Sequence, residues 1–260
     1  MLEVLYGLIA MCSTTVGAMT GMGGGVIIKP VMDLFGHFNP MSINMVASLT
    51  VLVMAVVSVI EMLAGKTPFD FKVAVPLAAS SLLGGHTGKA GLSWVIGAMN
   101  DGNRVLVVQN IVLACLIIPI IYFMRRKKNM PNLGFSGWPP ALAVGFSLGV
   151  FSAFLGIGGG PFNVVGIIMV FGVSTKMAAA YSLFIILFSQ AASAAMTGFS
   201  TGFGAYDLSM LPVMMFGAMA GGFLGARLRR HLTTERVETM FNLVQIAVLF
   251  LCIVNIIHNW

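Results

Sequence analysis

Charged residues are scarce in this sequence. They make up 8% of the 260 residues, whereas 58% are hydrophobic, and soluble domains carry roughly 25% charged residues. Uncharged runs at 41–60, 105–124 and 177–197 each suit an apolar span of about 20 residues. This composition excludes an ordinary soluble domain and predicts an all-α polytopic membrane protein whose partner is the lipid bilayer.

Motifs for catalysis, metal binding and nucleic-acid binding are missing as well. The sequence contains no His-Glu-x-x-His, no Gly-x-Ser-x-Gly and no Walker-type phosphate loop. Cys12, Cys115 and Cys252 lie singly in apolar runs without metal-ligand spacing, so we interpret them as small buried hydrophobic residues. The net charge of +6 comes from basic residues in short loops, a pattern typical of membrane topology. We therefore expect no enzyme, no cofactor or metal, and no nucleic-acid partner.

One motif is present twice. Residues 21–25 read Gly-Met-Gly-Gly-Gly and residues 156–160 read Gly-Ile-Gly-Gly-Gly, each between two apolar runs. Glycine interrupts a helix and lets another backbone or a ligand approach closely. In a membrane, the freed backbone groups are tolerated where they are buried in protein or line a polar cavity. Two such clusters, one in each half, point to a transport site.

The chain divides into two similar halves of five apolar segments each. The segments of the first half are 3–20, 26–36, 43–64, 73–97 and 105–124. Those of the second half are 138–155, 161–172, 178–199, 208–226 and 237–257. Both halves carry, in the same order, a glycine cluster, a serine, a proline and a glycine pair, which indicates an internal repeat. We interpret 1–124 and 138–260 as two membrane repeats joined by a basic cytoplasmic linker, 125–137.

The basic residues predict how the repeats are oriented. If the run 125–128 is cytoplasmic, eleven of the fourteen Lys and Arg residues fall on that side, as the positive-inside rule requires. These are Lys66, Lys72, Arg125, Arg126, Lys127, Lys128, Lys176, Arg227, Arg229, Arg230 and Arg236. Both termini then face outward from the inner (cytoplasmic) membrane, and the two repeats have inverted topology, an architecture that places a site near the midplane.

The second segment of each half is short. Segments 26–36 and 161–172 would be only ~16–18 Å long at about 1.5 Å per residue, whereas a bilayer core is about 30 Å thick. We predict that 3–36 and 138–172 form broken helical hairpins whose second arms begin at the glycine clusters. One hairpin enters from each side, so the tips can meet.

These tips are the predicted binding site for a small anion. The first N–H groups of a helix lack intrahelical partners and lie at the positive end of its dipole, and a proline suits the first helical position. The candidate residues at the tips are Gly21, Gly23, Gly24, Gly25, Gly156, Gly158, Gly159, Gly160 and Pro161. The alternative is that these glycines only allow close helix packing.

Lys29 is a further candidate, because an ionisable residue inside a membrane is a functional candidate by default. It lies about one turn into the first short arm and would bind or gate the anion. The alternative is that Asp33, four residues on and on the same helix face, neutralises it. The second arm has no lysine at the equivalent place, only Asn163 and Val164, and Asn163 is a candidate there. Ser48 and Ser182 hold matching places in the third segments, where either can hydrogen-bond substrate oxygens or join helices.

These features resemble the sulfite exporter TauE/SafE family over essentially the whole chain. The resemblance is carried by the duplicated Gly-x-Gly-Gly-Gly with its short arms and by the later Gly-Ala-Arg-Leu at 225–228. It implies a secondary permease, with export favoured, for a small anion such as sulfite, a sulfonate or another organosulfur anion, and a homo-oligomer is compatible with it. The alternatives are an anion channel or a non-transporting membrane subunit, and an intramembrane enzyme is least favoured.

Overall fold

A computed structural model describes residues 2–65, 70–99, 102–127, 132–135, 137–155 and 159–259. Within these ranges the chain forms ten α-helices, one 3-10 turn at Phe203–Ala205 and no strand. The helices are α1 (Leu2–Thr20), α2 (Gly25–Phe35), α3 (Pro40–Ala64), α4 (Phe71–Met99), α5 (Gly102–Arg126), α6 (Trp138–Leu155), α7 (Gly160–Phe171), α8 (Thr175–Phe199), α9 (Leu211–His231) and α10 (Thr234–Asn259). The ten predicted segments are confirmed, each with ends that differ by a few residues.

Seven described helices are long and apolar enough to cross a membrane. They are α1, α3, α6, α8 and α9, together with Arg104–Arg126 of α5 and Thr234–His258 of α10. The short arms α2 and α7 have 11 and 12 residues, which limits each to ~16–18 Å. The prediction of an all-helical polytopic membrane protein is therefore confirmed.

The largest departure from the predicted bounds is α9. The sequence predicts its end at residue 226, but the helix continues to His231. Its last turn carries Arg229, Arg230 and His231, and cationic side chains stabilise the negative end of a helix dipole. The basic residues therefore extend the helix instead of ending it.

Both short arms end in the same way. Gly36 after α2 and Gly172 after α7 have positive φ angles of 62° and 66°, the left-handed C-cap conformation that glycine adopts without strain. Each is followed by a residue whose side chain caps the next helix: Asn39 caps α3 and Ser174 caps α8. Local sequence thus specifies where each arm stops and the next span begins.

The helix contacts between the two halves come in matching pairs. Helix α1 packs along α9 and α6 along α4, while α3 packs on α9 and α8 on α4. The short arm α2 contacts α10, and α7 contacts α5. Close backbone approaches occur at glycines: a Cβ on Gly84 would collide with the carbonyl of Phe146, and one on Gly221 with the carbonyl of Met11. Small residues thus allow these helix pairs to pack closely.

Charged side chains gather at one end of the bundle. Lys127 at the end of α5 forms an ion pair with Glu238 of α10. Arg230 of α9 pairs with Glu61 of α3 at 3.1 Å, and Lys176 of α8 donates to the carbonyl of Arg230 at 3.0 Å. These contacts bring the basic residues at the end of α5 and on α8 and α9 to one shared end.

At the opposite end, polar contacts join loops to the helices α1 and α3. The hydroxyl of Tyr6 lies 2.8 Å from Nδ1 of His37, and the N–H of Asp207 donates to Oγ of Ser42 at 2.9 Å. The Asp207 carboxylate accepts a hydrogen bond from the backbone N–H of Ser209, which lowers the pKa of Asp207 below its ordinary value. The start of α1 and the loops before α3 and α9 therefore meet at this end.

Candidate functional site

The tips of the two hairpins touch in the interior of the bundle. A Cβ on Gly160, at the start of α7, would lie 2.7 Å from the carbonyl oxygen of Met22 in the turn between α1 and α2. Met22 is completely buried. The hydroxyl of Ser182 donates to the carbonyl of Gly21 at 2.6 Å, which ties α8 to the same turn.

The glycines of the first turn are closely packed by neighbouring protein. Gly21 and Gly23 have positive φ angles of 78° and 69°. A Cβ on Gly21 would collide with Ala179, and one on Gly24 would lie 2.7 Å from Cγ2 of Thr14. For this copy of the cluster, the contacts agree with the alternative that its glycines allow close helix packing.

The second turn is bordered by unpaired polar groups. A Cβ on Gly159, whose φ is 82°, would lie 2.7 Å from Nδ2 of Asn163 and 2.9 Å from Oγ of Ser152. Asn163 is completely buried and Ser152 is 3% exposed. Neither side-chain polar atom of Asn163, nor Oγ of Ser152, has a hydrogen-bond partner in the described part of the chain. Predicted site residues Gly156 and Gly158 lie outside the described residues.

The positive end of α7 points at this turn. Pro161 lies in the first turn of the helix, where its missing N–H removes no intrahelical bond. The N–H of Asn163 bonds to the carbonyl of Gly159 at 3.2 Å, while the N–H groups before it precede the intrahelical ladder. A partial positive charge, an amide and a hydroxyl therefore converge at Gly159.

A cavity of about 140 Å³ adjoins this turn. It lies between α3, α4, α6 and α8, and Ser152 belongs both to its wall and to the surroundings of Gly159. The polar residues along its wall include Asn44, Ser48, Ser152, Ser189 and Gln190. The hydroxyl of Ser48 donates to Oε1 of Gln190, so α3 and α8 are joined across the cavity.

The structure separates the two predicted serines. Ser48 lines the cavity, whereas Ser182 is bonded to the backbone of the first turn. Although Ser48 and Ser182 hold matching positions in the two halves, they do not make matching contacts.

Lys29 forms a buried ion pair. Its Nζ lies 3.2 Å from Oδ2 of Asp33, and the two side chains are 4% and 0% exposed. The pair borders a narrow gap with Gln109 of α5 and Leu155 at the end of α6. Lys29 is not among the described residues that line the 140 Å³ cavity. Asp33 therefore neutralises Lys29, as the alternative drawn from the sequence predicts.

Sequence reasoning missed Ser152 and Lys89 as candidate site residues. Lys89 lies within α4, inside the predicted segment 73–97, and lines the cavity. The available signal was helical spacing, because Gly85, Lys89 and Leu92 recur on one face and all three line the cavity. Among the described residues, no group of three or more His, Cys, Asp or Glu is arranged to hold a metal ion.

Comparison with known proteins gives two matches. A family model described as sulfite exporter TauE/SafE matches residues 6–252. The chain is also 25% identical, over 264 residues, to the "Probable membrane transporter protein YunE" of Bacillus subtilis (strain 168), and the alignment covers 94% of each chain. The family match runs from α1 into α10 and includes both glycine clusters.

Proposed function

This chain belongs to the sulfite exporter TauE/SafE family, and from that membership we propose that it is a secondary transporter of a small organosulfur anion, with sulfite and sulfonates as the substrate class. The family and the related probable membrane transporter both point to transport across a membrane. They favour a transporter over an enzyme.

The observation that carries the anion proposal is the unpaired polar cluster at Gly159. Buried polar groups without a partner cost about 1–3 kcal/mol each, so a ligand or water that bonds to Asn163 and Ser152 is strongly favoured there. The N-terminus of α7 makes an anion the ligand best matched to the site. The cavity exceeds the volume of one water several-fold, which suits a small oxyanion.

In this proposal the two glycine turns have different parts. The second turn, with Gly159, Gly160 and Pro161, holds the anion together with Asn163 and Ser152, and Gly156 and Gly158 belong to the same turn by sequence. The first turn, Gly21 to Gly25, forms the opposing wall, where Ser182 fixes its backbone. Ser48 lines the path to the site. We leave Lys29 outside the anion site because Asp33 already neutralises it.

We further propose that 1–124 and 138–260 are inverted repeats that expose the site to each side in turn. The repeated helix pairings support this, since exchanging each helix for the one five places away converts one set of contacts into the other. The cavity lies between α4 and α8. On the corresponding path between α9 and α3, Ser58 donates to the carbonyl of Gly222 at 3.5 Å and Arg230 pairs with Glu61, which closes that side.

The proposed orientation places the basic end in the cytoplasm and both termini outside, by the positive-inside rule. An inside-negative potential then drives anions outward by about 2.3 kcal/mol per charge per 100 mV. Export therefore needs no coupled ion. This agrees with the absence of a Walker-type phosphate loop from the sequence.

Sulfite counterflow in proteoliposomes tests the proposal. With the membrane potential held at zero by potassium and valinomycin, sulfite loaded inside should accelerate the uptake of labelled sulfite by the wild-type protein, which a channel does not do under these conditions. Ser152→Ala should lower this uptake about tenfold, because it removes one hydrogen bond to a charged ligand worth about 1.5–3 kcal/mol. Ser147→Ala on the exposed side of the same helix is the matched control. If wild-type uptake of sulfite, thiosulfate and methanesulfonate equals that of empty liposomes, the proposed function is wrong.

A further inference from the structure

Lys89 is a half-buried cation without a carboxylate partner among the described residues, a property that it shares with the buried Arg229 at the basic end of the bundle. Lys29, Lys127 and Arg230 each pair with a carboxylate. Lys89 instead donates a hydrogen bond to the hydroxyl of Thr197 in α8, and no acidic residue among the described ones lies within ion-pair distance of it. No described carboxylate therefore neutralises the ammonium group of Lys89.

That charge lies on the wall of the cavity. Of the described residues that line the cavity, Lys89 is charged and none is acidic. Its side chain is half-buried, and an unpaired cation in such a place is costly unless an anion offsets it. The hydroxyls of Ser193 and Thr197, one helical turn apart on α8, line the same part of the wall.

We propose that Lys89 forms an outer anion site in this cavity, which receives a small oxyanion before it reaches the turn at Gly159. This inference rests on the proposed function and adds a second binding position to it. A lysine ammonium is a compact charge with three donors, so it attracts sulfite or sulfonate without demanding one geometry. Ser193 donates a hydrogen bond to an oxygen of the same anion, whereas the Thr197 hydroxyl, which donates to the carbonyl of Ser193 at 3.0 Å, accepts from Lys89 and positions its ammonium group. Cations are repelled from the path by the same charge.

Thiol modification tests the charge of the cavity without any transport measurement. In a Ser193→Cys protein, we measure the modification rates by the anionic sulfonatoethyl and the cationic trimethylammonioethyl methanethiosulfonates. Lys89→Gln should lower the anionic-to-cationic rate ratio about fivefold or more, since a charge at ~4 Å contributes about 1 kcal/mol even in water. Lys89→Arg should keep the ratio, and so should the paired variant Lys29→Met with Asp33→Leu.

The matching proteins without Ser193→Cys give the background from Cys12, Cys115 and Cys252. The rate with a neutral maleimide shows whether Lys89→Gln changes access to the cavity rather than its charge. A ratio that is unchanged by Lys89→Gln, with equal maleimide rates, overturns the outer site.

Flux completes the test and separates the two proposals. Lys89→Gln should lower sulfite uptake in proteoliposomes at least fivefold at low sulfite concentration, and Lys89→Arg should restore most of it. Wild-type uptake with no loss in Lys89→Gln overturns the outer site and leaves the proposed function standing. A wild-type protein that transports none of the three anions overturns the proposed function, while the modification ratio still decides whether Lys89 makes the cavity selective for anions.

Discussion

Lys29 and Asp33 form an ion pair inside the bundle, with Nζ and Oδ2 3.2 Å apart and both side chains almost completely buried. Both residues lie on α2, one turn apart on the same face. The pair lets a short arm that carries a lysine near its positive end remain inside a membrane protein. It also makes the two arms different, since α7 carries the neutral Asn163 and Val164 at the equivalent place.

The first prediction concerns this pair. Lys29→Met alone should destabilise the protein by about 3–5 kcal/mol, because it leaves the buried carboxylate of Asp33 without its partner. The double variant Lys29→Met with Asp33→Leu should recover most of that loss. Thermal unfolding of the purified proteins in detergent measures both effects.

Sulfite uptake by the double variant then shows whether Lys29 has a part in transport. We expect a rate close to that of the wild type, because the cavity and the turn at Gly159 remain intact. A double variant that is stable but inactive would return Lys29 to the anion site.

The second prediction concerns Asn163. Asn163→Leu replaces a buried amide that has no described partner with an apolar side chain of similar shape. It should raise the free energy of unfolding by about 1–3 kcal/mol, which is the cost of an unsatisfied buried polar group. The same variant should lose most sulfite uptake. Gain of stability with loss of flux is the signature of a residue kept for its ligand.

The control for this prediction is Asn110→Leu on α5. The Asn110 amide is buried as well but donates to the carbonyl of Leu106 at 2.9 Å, so its replacement should not stabilise the protein. Our interpretation of Asn163 fails if Asn163→Leu is destabilised and keeps full activity.

The third prediction concerns the first glycine turn. Gly24 has a helical φ of −66°, so a side chain at this position causes no backbone strain. The obstacle to a side chain is the lack of space. Gly24→Ala should cost about 1–3 kcal/mol, because its Cβ would lie 2.7 Å from Cγ2 of Thr14. Thr14→Ser removes that methyl group and keeps the hydroxyl that donates to Ala10, so it should restore part of the stability.

Gly204→Ala, where no atom lies within 4 Å of the new Cβ, is the neutral control for the third prediction. Thermal unfolding of the four proteins distinguishes the two accounts of this cluster. Equal unfolding temperatures for wild type and Gly24→Ala would mean that the turn has more room than its contacts indicate.

Much of the architecture was predictable from local sequence. The bounds of α2 and α7 follow from a glycine cluster before each arm and a single glycine after it, at Gly36 and Gly172. Those glycines act through the backbone of their own turn, so no distant contact is needed to find them. Composition shows that the helices lie in a membrane, because a membrane span needs about 20 apolar residues regardless of the helices that it contacts.

The composition of the site was only partly predictable. Asn163 and Gly159 were found because they sit beside the glycine cluster in sequence. Ser152 and Lys89 were missed because they reach the cavity from α6 and α4, and helix rotation decides which residues face it. In lipid, that rotation is set by packing between helices rather than by burial of apolar faces, so hydropathy carries little information about it.

The sequence by itself determined that this is a helical membrane protein with two broken hairpins, since span length and glycine turns depend on the bilayer and on local backbone freedom. Tertiary structure alone decided that Lys29 is paired with Asp33 and that the first glycine cluster is closely packed. It also decided that the second cluster lies beside a polar cavity. The physical reason is that packing against neighbouring helices decides which face of a helix is covered and which face lines a cavity, and local sequence does not specify that packing.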